Sequence, residues 1–272
     1  MSFSSLVRFD FNGQPSYGDL LETNENSYVV RKLDGNIKKG FATTVQTVTV
    51  QKLLCPLEHA PIIQCVGLNY RKHATEANLP IPTYPVIFTK PSDALAGPFD
   101  DVHIHPDAQK LLDYEGELCV IIARDAKNIS ASSALDYVLG YSVGNDVSAR
   151  NFQLSEASGG QFGYAKSFDG FAPIGPAIWS PSVVPDPQKL RYKTFVNDEV
   201  VQETGTDDMI WDVKSIIAHL SRGTTLRAET IIMTGTPSGV GIFSGRLLKD
   251  GDIVKVEVEG LGSIANKMVF DR

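Results

Sequence analysis

Two glutamates, Glu115 and Glu117, stand one residue apart in Asp113-Tyr114-Glu115-Gly116-Glu117-Leu118, and Asp146 follows in Val143-Gly144-Asn145-Asp146-Val147. Along a strand, residues i and i+2 share a face, so this spacing presents two carboxylates side by side. Against an apolar interior such a pair suffers repulsion and lost hydration unless a cation lies between them. A hard divalent ion such as Mg2+ takes oxygen ligands and keeps waters that a substrate can displace. The other reading is a surface pair on an edge strand, neutralised by lysines. Leu111, Leu112 and Tyr114 before the pair, and the apolar run after Leu118, favour a buried site with Asp146 at the end of a second buried strand.

A second constellation is His73 and Glu76, three apart in Asn69-Tyr70-Arg71-Lys72-His73-Ala74-Thr75-Glu76. On a helical turn the two side chains meet, and a carboxylate beside an imidazole fixes its tautomer and raises its basicity. A solvated helical ion pair is the alternative. Arg150 and Gln153 follow Asp146 at spacings that a helical turn would stack on one face. Lys166 lies in the apolar stretch Ala165-Lys166-Ser167-Phe168-Asp169-Gly170-Phe171, where its ammonium needs a carboxylate, a metal-bound oxyanion or Asp169 as partner. Thr234-Gly235-Thr236-Pro237-Ser238-Gly239-Val240-Gly241 lacks the Gly-Lys-Ser/Thr ending of a phosphate loop. It reads instead as a tight turn offering N–H groups and the Thr236 hydroxyl to a small anion. His103 and His105 share a strand face but have no third soft ligand, and His219 reads as structural.

The elements that position these residues are mostly short strands. Val7–Phe11 alternates before an Asn-Gly turn, and residues 45–50 are rich in β-branched side chains, while the polar stretch 21–40 suggests exposed loops. Residues 62–66, 118–122, 141–145, 230–234 and 253–258 read as further strands. A short helix is predicted over 133–139, with Ser133 and Asp136 in capping-box spacing and Gly140 as its stop. A longer one is predicted over 208–221, capped near Asp207 and ended by Gly223. Many strands and few helices indicate a β-dominated α+β fold, divided into a small N-terminal β-rich domain (1–58) and a larger domain (59–272).

A net charge of -7 argues against nucleic acid or an anionic membrane as the main partner. No apolar stretch approaches the length of a membrane span. The first eight residues lack secretory or transit character, and Cys55, Cys65 and Cys119 are scattered without a C-x-x-C. The expectation is a cytoplasmic enzyme without structural zinc.

In order along the chain, Val66-Gly67-Leu68-Asn69-Tyr70 with His73 and Glu76, Phe88-Thr89-Lys90-Pro91, Asp113 to Leu118, Gly140-Tyr141, Asn145 to Arg150 with Gln153, Lys166 to Phe171, and Met233 to Gly241 resemble the fumarylacetoacetate hydrolase family. The resemblance spans roughly residues 60–269. It implies a mixed β-roll or barrel catalytic domain, a homodimer, and Mg2+ or Mn2+ held by Glu115, Glu117 and Asp146. It also implies a His73–Glu76 pair on a lid, and substrate contacts from Tyr70, Arg150, Gln153, Lys166, Gly235 and Thr236. Many relatives carry tryptophan where Phe162 follows Gln161 here, a departure at the pocket.

The chemistry these parts allow starts from a metal that chelates a small 2-oxo or β-diketo acid and stabilises an enolate, helped by Lys166. If His73 activates water, the outcome is hydrolysis of an acylpyruvate-like acid, and if CO2 leaves, it is decarboxylation of an oxaloacetate-like one. If His73 only moves protons, the outcome is tautomerisation or isomerisation. C–C cleavage, as a hydrolase or lyase, ranks first, with tautomerase or isomerase second and a non-catalytic carboxylate-binding relative third.

Overall fold

The computed structural model describes residues 2–272. Its spine is a twelve-stranded sheet. In spatial order the strands are Gly40–Val50, Ser27–Asn36, Gln14–Asn24, Ser5–Phe11, Ala172–Trp179, Val138–Asn145, Gly116–Ile122, Ile231–Met233, Ile63–Gly67 and Val86–Lys90. Leu53–Leu54 and Leu95–Ala96 pair alongside this path. The path ends at two different edge strands, so the strand-dominated α+β fold is open and is not a closed barrel. A five-stranded sheet, ordered Glu199–Gly205, Arg191–Val196, Ile253–Val258, Gly262–Phe270 and Val102–Ile104, packs against it.

The central strands Gly116–Ile122, Val138–Asn145 and Ala172–Trp179 are buried at every position, which is why their sequences are apolar on both faces. Leu118, Val120 and Ile122 join Tyr141, Tyr192, Val256 and Ile264 in one core cluster. Cys119 and Ile121, of opposite parity, join Cys65, Ile174 and Met233 in the other. Each such buried aliphatic side chain contributes about 1.5–3 kcal/mol. Arg191–Val196 and Ile253–Val258 alternate in burial, matching their alternating sequences. Gly116 lies where the two sheets close, and a Cβ there would sit 2.0 Å from the Thr194 hydroxyl oxygen. The residue between the two glutamates is glycine for that steric reason.

Three sequence expectations are corrected. Much of the polar stretch 21–40 lies in the paired strands Gln14–Asn24 and Ser27–Asn36, because Val30 and Leu33 give it a buried face. The helix expected at 133–139 is a 3-10 helix at Ala131–Tyr137, and Gly140 lies within the next strand rather than ending it. The long helix is shorter, Val213–Leu220, and its N-cap is Asp212, whose Oδ1 accepts from the Ser215 N–H at 2.8 Å. Upstream, the Ile210 and Trp211 N–H groups bond to Asn69 at 2.7 and 2.9 Å, which holds that segment out of the helix.

Strand direction decides where the site forms. Gly116–Ile122 is antiparallel to Val138–Asn145 and to Ile231–Met233, which in turn is parallel to Ile63–Gly67. The ends of three strands therefore meet the start of the fourth. That arrangement gathers Leu68, Glu117, Asp146 and Gly235 at one end of the sheet.

Candidate active site

Glu115, Glu117 and Asp146 converge there, with one carboxylate oxygen of each lying within 4.8 Å of the others. Glu117 is in the strand, whereas Glu115 immediately precedes it, so the pair does not share one regular strand face. Local bonds do the positioning. The Glu115 N–H donates to Asn145 Oδ1 at 2.9 Å, and the Asp146 N–H donates to the Glu115 carbonyl at 2.8 Å. The Gly235 N–H donates to Glu117 Oε2 at 2.7 Å. Gly235 adopts φ +101°, and a Cβ would meet Asn69 Cβ at 2.7 Å, so only glycine brings this N–H so close.

Three buried cations surround the trio. Lys166 Nζ donates to Glu115 Oε2 at 2.7 Å and Asp146 Oδ2 at 2.9 Å, rather than pairing with Asp169. Lys90 pairs with Asp146 Oδ1 and donates to the Val147 and Phe171 carbonyls. Arg150 donates from Nε to Asp113 at 2.8 Å and from Nη1 to Gln153 at 2.6 Å, and its Nη2 lies 2.7 Å from Glu115 Oε1. Asp113 in turn accepts the N–H groups of Gly241 and Ile242 at 2.7 and 3.0 Å. Arg150–Gln153 is a single helical turn that Asp146 does not join, so the expected three-residue stack is replaced by the direct Arg150–Gln153 bond.

Charge is not balanced within this cluster. Lys90, Arg150 and Lys166 face Asp113, Glu115, Glu117 and Asp146, and among the described residues Glu117 has no ion-pair partner. Burial, then the charges of Asp146 and Glu115, push the Glu117 carboxyl well above its ordinary range. Burial also opposes ionisation of Glu115, but Lys166 and Arg150 prevail and bring it down to about 2. Burial works against the Lys166 ammonium, yet Asp146 and Glu115 raise its pKa and keep it charged. Asp146 Oδ1, although next to Lys90, has no aligned hydrogen bond. One uncompensated carboxylate and one orphaned oxygen in a set of three oxygen donors fit a hard divalent cation.

His73 and Glu76 lie on the helix Arg71–Glu76, with Nδ1 3.0 Å from Glu76 Oε2. The second oxygen, Oε1, accepts the Gly239 N–H at 2.9 Å and ties this helix to the 234–241 turn. A carboxylate on Nδ1 places the proton there and leaves Nε2 with its lone pair. The turn thus spends its N–H groups on Glu76, Glu117 and Asp113, not on a free anion.

A cavity of about 350 Å³ opens above the cluster. His73, Glu115, Arg150, Gln153, Lys166 and Thr236 line it together with apolar side chains, among them Phe162. Phe162 meets Phe88 edge-on, with ring centroids 5.9 Å apart. Glu117 and Asp146 lie outside this lining, as do two residues expected to touch substrate. Tyr70 is fully buried, its hydroxyl accepting from Tyr192 at 2.9 Å, and Gly235 has given its N–H to Glu117. The Thr236 hydroxyl donates to the Gly116 carbonyl at 3.0 Å and accepts from Gln202 at 2.9 Å. His103, bonded to Asp271, and His105 are exposed and apart from this cavity, while His219 stacks on Tyr84.

Sequence reasoning assigned no role to Lys90, Asp113, Asn69 or Gln202. The first three lie inside the recognised motifs, and a lysine ending the apolar strand Val86–Lys90 was a readable signal. Gln202 left none, because its contact with Thr236 and the Gly116 N–H joins residues distant in sequence.

Residues 62–269 match the family described as fumarylacetoacetate (FAA) hydrolase C-terminal. The chain belongs to the fumarylacetoacetate hydrolase family. It is 46% identical over 222 residues to an uncharacterised protein of Archaeoglobus fulgidus, covering 82% of this chain and 84% of that protein. It is 41% identical to the human mitochondrial oxaloacetate tautomerase FAHD2A, over 79% of this chain and 69% of that protein. Among solved structures, 2-hydroxyhepta-2,4-diene-1,7-dioate isomerase from Mycobacterium marinum superposes with a TM-score of 0.85 at 33% identity, covering 98% of this chain and 99% of that one. A 5-carboxymethyl-2-hydroxymuconate delta-isomerase from Mycobacterium smegmatis gives 0.86 at 31%, covering 98% and 100%. The family is one of oxoacid-processing enzymes. Among the described residues no helix is long and apolar enough to cross a membrane.

Proposed function

We propose that this protein is a divalent-cation-dependent keto–enol tautomerase or isomerase of small 2-oxo acids. The observation that carries this reading is the His73–Glu76 pair, a proton-carrying ring on the wall of a cavity that Glu115 of the carboxylate cluster also lines. The names of the human and mycobacterial relatives support isomerisation and reverse the order of the sequence expectations, which put C–C cleavage first.

Glu115, Glu117 and Asp146 would hold Mg2+ or Mn2+, which when bound polarises the oxo oxygen as a Lewis acid. With a divalent cation bound, its charge together with Lys90, Arg150 and Lys166 would outweigh the four carboxylates and give the floor a positive field that attracts the oxoacid carboxylate. His73 Nε2 takes the proton from one site and returns it to the other: ketonisation removes the enol O–H proton and adds one at C3. Glu76 keeps Nδ1 occupied throughout, so the ring presents the same nitrogen to substrate. No water is consumed, which separates this reaction from hydrolysis. A homodimer belongs to the same proposal.

Oxaloacetate enol, an acylpyruvate and phenylpyruvate enol, each assayed with Mg2+ and after chelation, test the reading. Accelerated loss of enol absorbance without matching release of pyruvate is expected, with chelation removing the acceleration. Pyruvate released in step with substrate loss would overturn it in favour of cleavage.

A further inference from the structure

The cavity changes character with depth. Its floor is charged and buried, with the Lys166, Arg150 and Glu115 side chains 2%, 8% and 10% exposed. Its mouth is apolar and open, with Leu79, Leu154 and Phe243 53%, 50% and 50% exposed. Phe88 and Phe162, both half-buried, complete this ring. The five side chains come from five separate segments, so no single helix face or strand accounts for their meeting.

The positively chargeable groups lining the cavity, among the described residues, are His73, Arg150 and Lys166. Arg150 is engaged by Asp113, Glu115 and Gln153, Lys166 by Glu115 and Asp146, and His73 Nδ1 by Glu76. Among the described residues that line the cavity, no further lysine or arginine is left to receive a second carboxylate at the mouth. A carboxylate there would lie against apolar side chains and gain no cationic partner. An apolar group covering the same ring gains about 25 cal/mol for each Å² removed from water.

We propose that the substrate is a monocarboxylic 2-oxo acid bearing an apolar aryl or branched alkyl group on C3, rather than a dicarboxylic one. The oxoacid head reaches the charged floor, and the C3 substituent fills the ring of Leu79, Phe88, Leu154, Phe162 and Phe243. This rests on the oxoacid reading above for the head group, and on the mouth for the tail.

Phenylpyruvate and oxaloacetate provide a matched pair, since they differ only in phenyl against carboxylate on C3. With Mg2+ present, kcat/KM for ketonisation is expected to be at least about tenfold higher for phenylpyruvate, equivalent to ~1.4 kcal/mol. Binding gives a readout independent of turnover. Oxanilate and N-oxalylglycine keep the 2-oxo acid head, cannot ketonise, and carry an apolar and an acidic tail. Calorimetry is expected to show oxanilate binding at least about tenfold tighter, and Leu154→Arg, a change at an exposed position, to narrow that ratio or reverse it. Equal or tighter binding of N-oxalylglycine, or oxaloacetate turned over as well as phenylpyruvate, overturns the proposal. Tight oxanilate binding with no ketonisation of either acid supports it and strikes the tautomerase reading instead.

Discussion

Glu115 and Glu117 are separated by one glycine and are driven in opposite directions. Glu115, brought down from 4.5 to about 2, contributes stability that is present above about pH 4.5 and is lost as the pH falls toward 2. Glu117, held well above 4.5, contributes stability that is fully present below 4.5 and is lost as the pH rises through its raised value. At neutral pH the first carboxylate favours the fold and the second opposes it. The neutral near-isostere Glu117→Gln is therefore expected to raise the melting temperature of the metal-free protein, more at about pH 8 than at about pH 4. Saturating Mg2+ at about 100 times its Kd should raise the wild-type melting temperature by roughly 5–10 °C and the variant's by much less. A Glu117→Gln protein that melts lower without metal and responds fully to Mg2+ would remove Glu117 from the ion site. The i, i+2 spacing and the apolar flanks already pointed to a site at these residues. The asymmetry between them was not readable, because it depends on Lys166 and Arg150 arriving from elsewhere in the chain.

The helix Arg71–Glu76 is too short to be stable alone and is held by its contacts. Arg71 and Lys72 tie it to Asp208 and Met209, and the Glu76 carboxylate, bonded to His73 on one oxygen and to the Gly239 N–H on the other, ties it to the 234–241 turn. Glu76→Ala frees the imidazole to rotate and unties the helix from the turn. Ketonisation kcat is expected to fall about 10- to 100-fold, with Glu76→Gln retaining more activity because it can still accept from Gly239. A Glu76→Ala enzyme with unchanged kcat and an unchanged pH profile would contradict the positioning role. The i, i+3 spacing was enough to pair these residues from sequence, since the interaction is local. The start of the Val213–Leu220 helix was not legible in the same way: the sequence places the cap near Asp207, whereas Asp212 caps the helix, and the bonds from Ile210 and Trp211 to Asn69 keep the intervening residues out of it.

At the scale of the molecule, the site exists because antiparallel and parallel neighbours bring three strand ends to one strand start. Ordered motifs revealed the family and most of the candidate residues. Register, and with it the inward placement of Lys90 and the burial of Tyr70 away from the cavity, required the folded chain. Composition could not distinguish an open sheet from a barrel, because buried strands read as apolar in either. For the proposed homodimer, light scattering is expected to give twice the chain mass, and the monomer mass would contradict it. The most direct test of proton transfer without bond cleavage is ¹H NMR of a 2-oxo acid substrate with the Mg2+-supplemented enzyme in D2O. The C3 hydrogens are expected to exchange for deuterium while the carbon skeleton stays intact, with His73→Gln slowing exchange by about 10²–10⁴-fold. Cleavage products without deuterium at C3 of the remaining substrate, or undiminished exchange in His73→Gln, would contradict it.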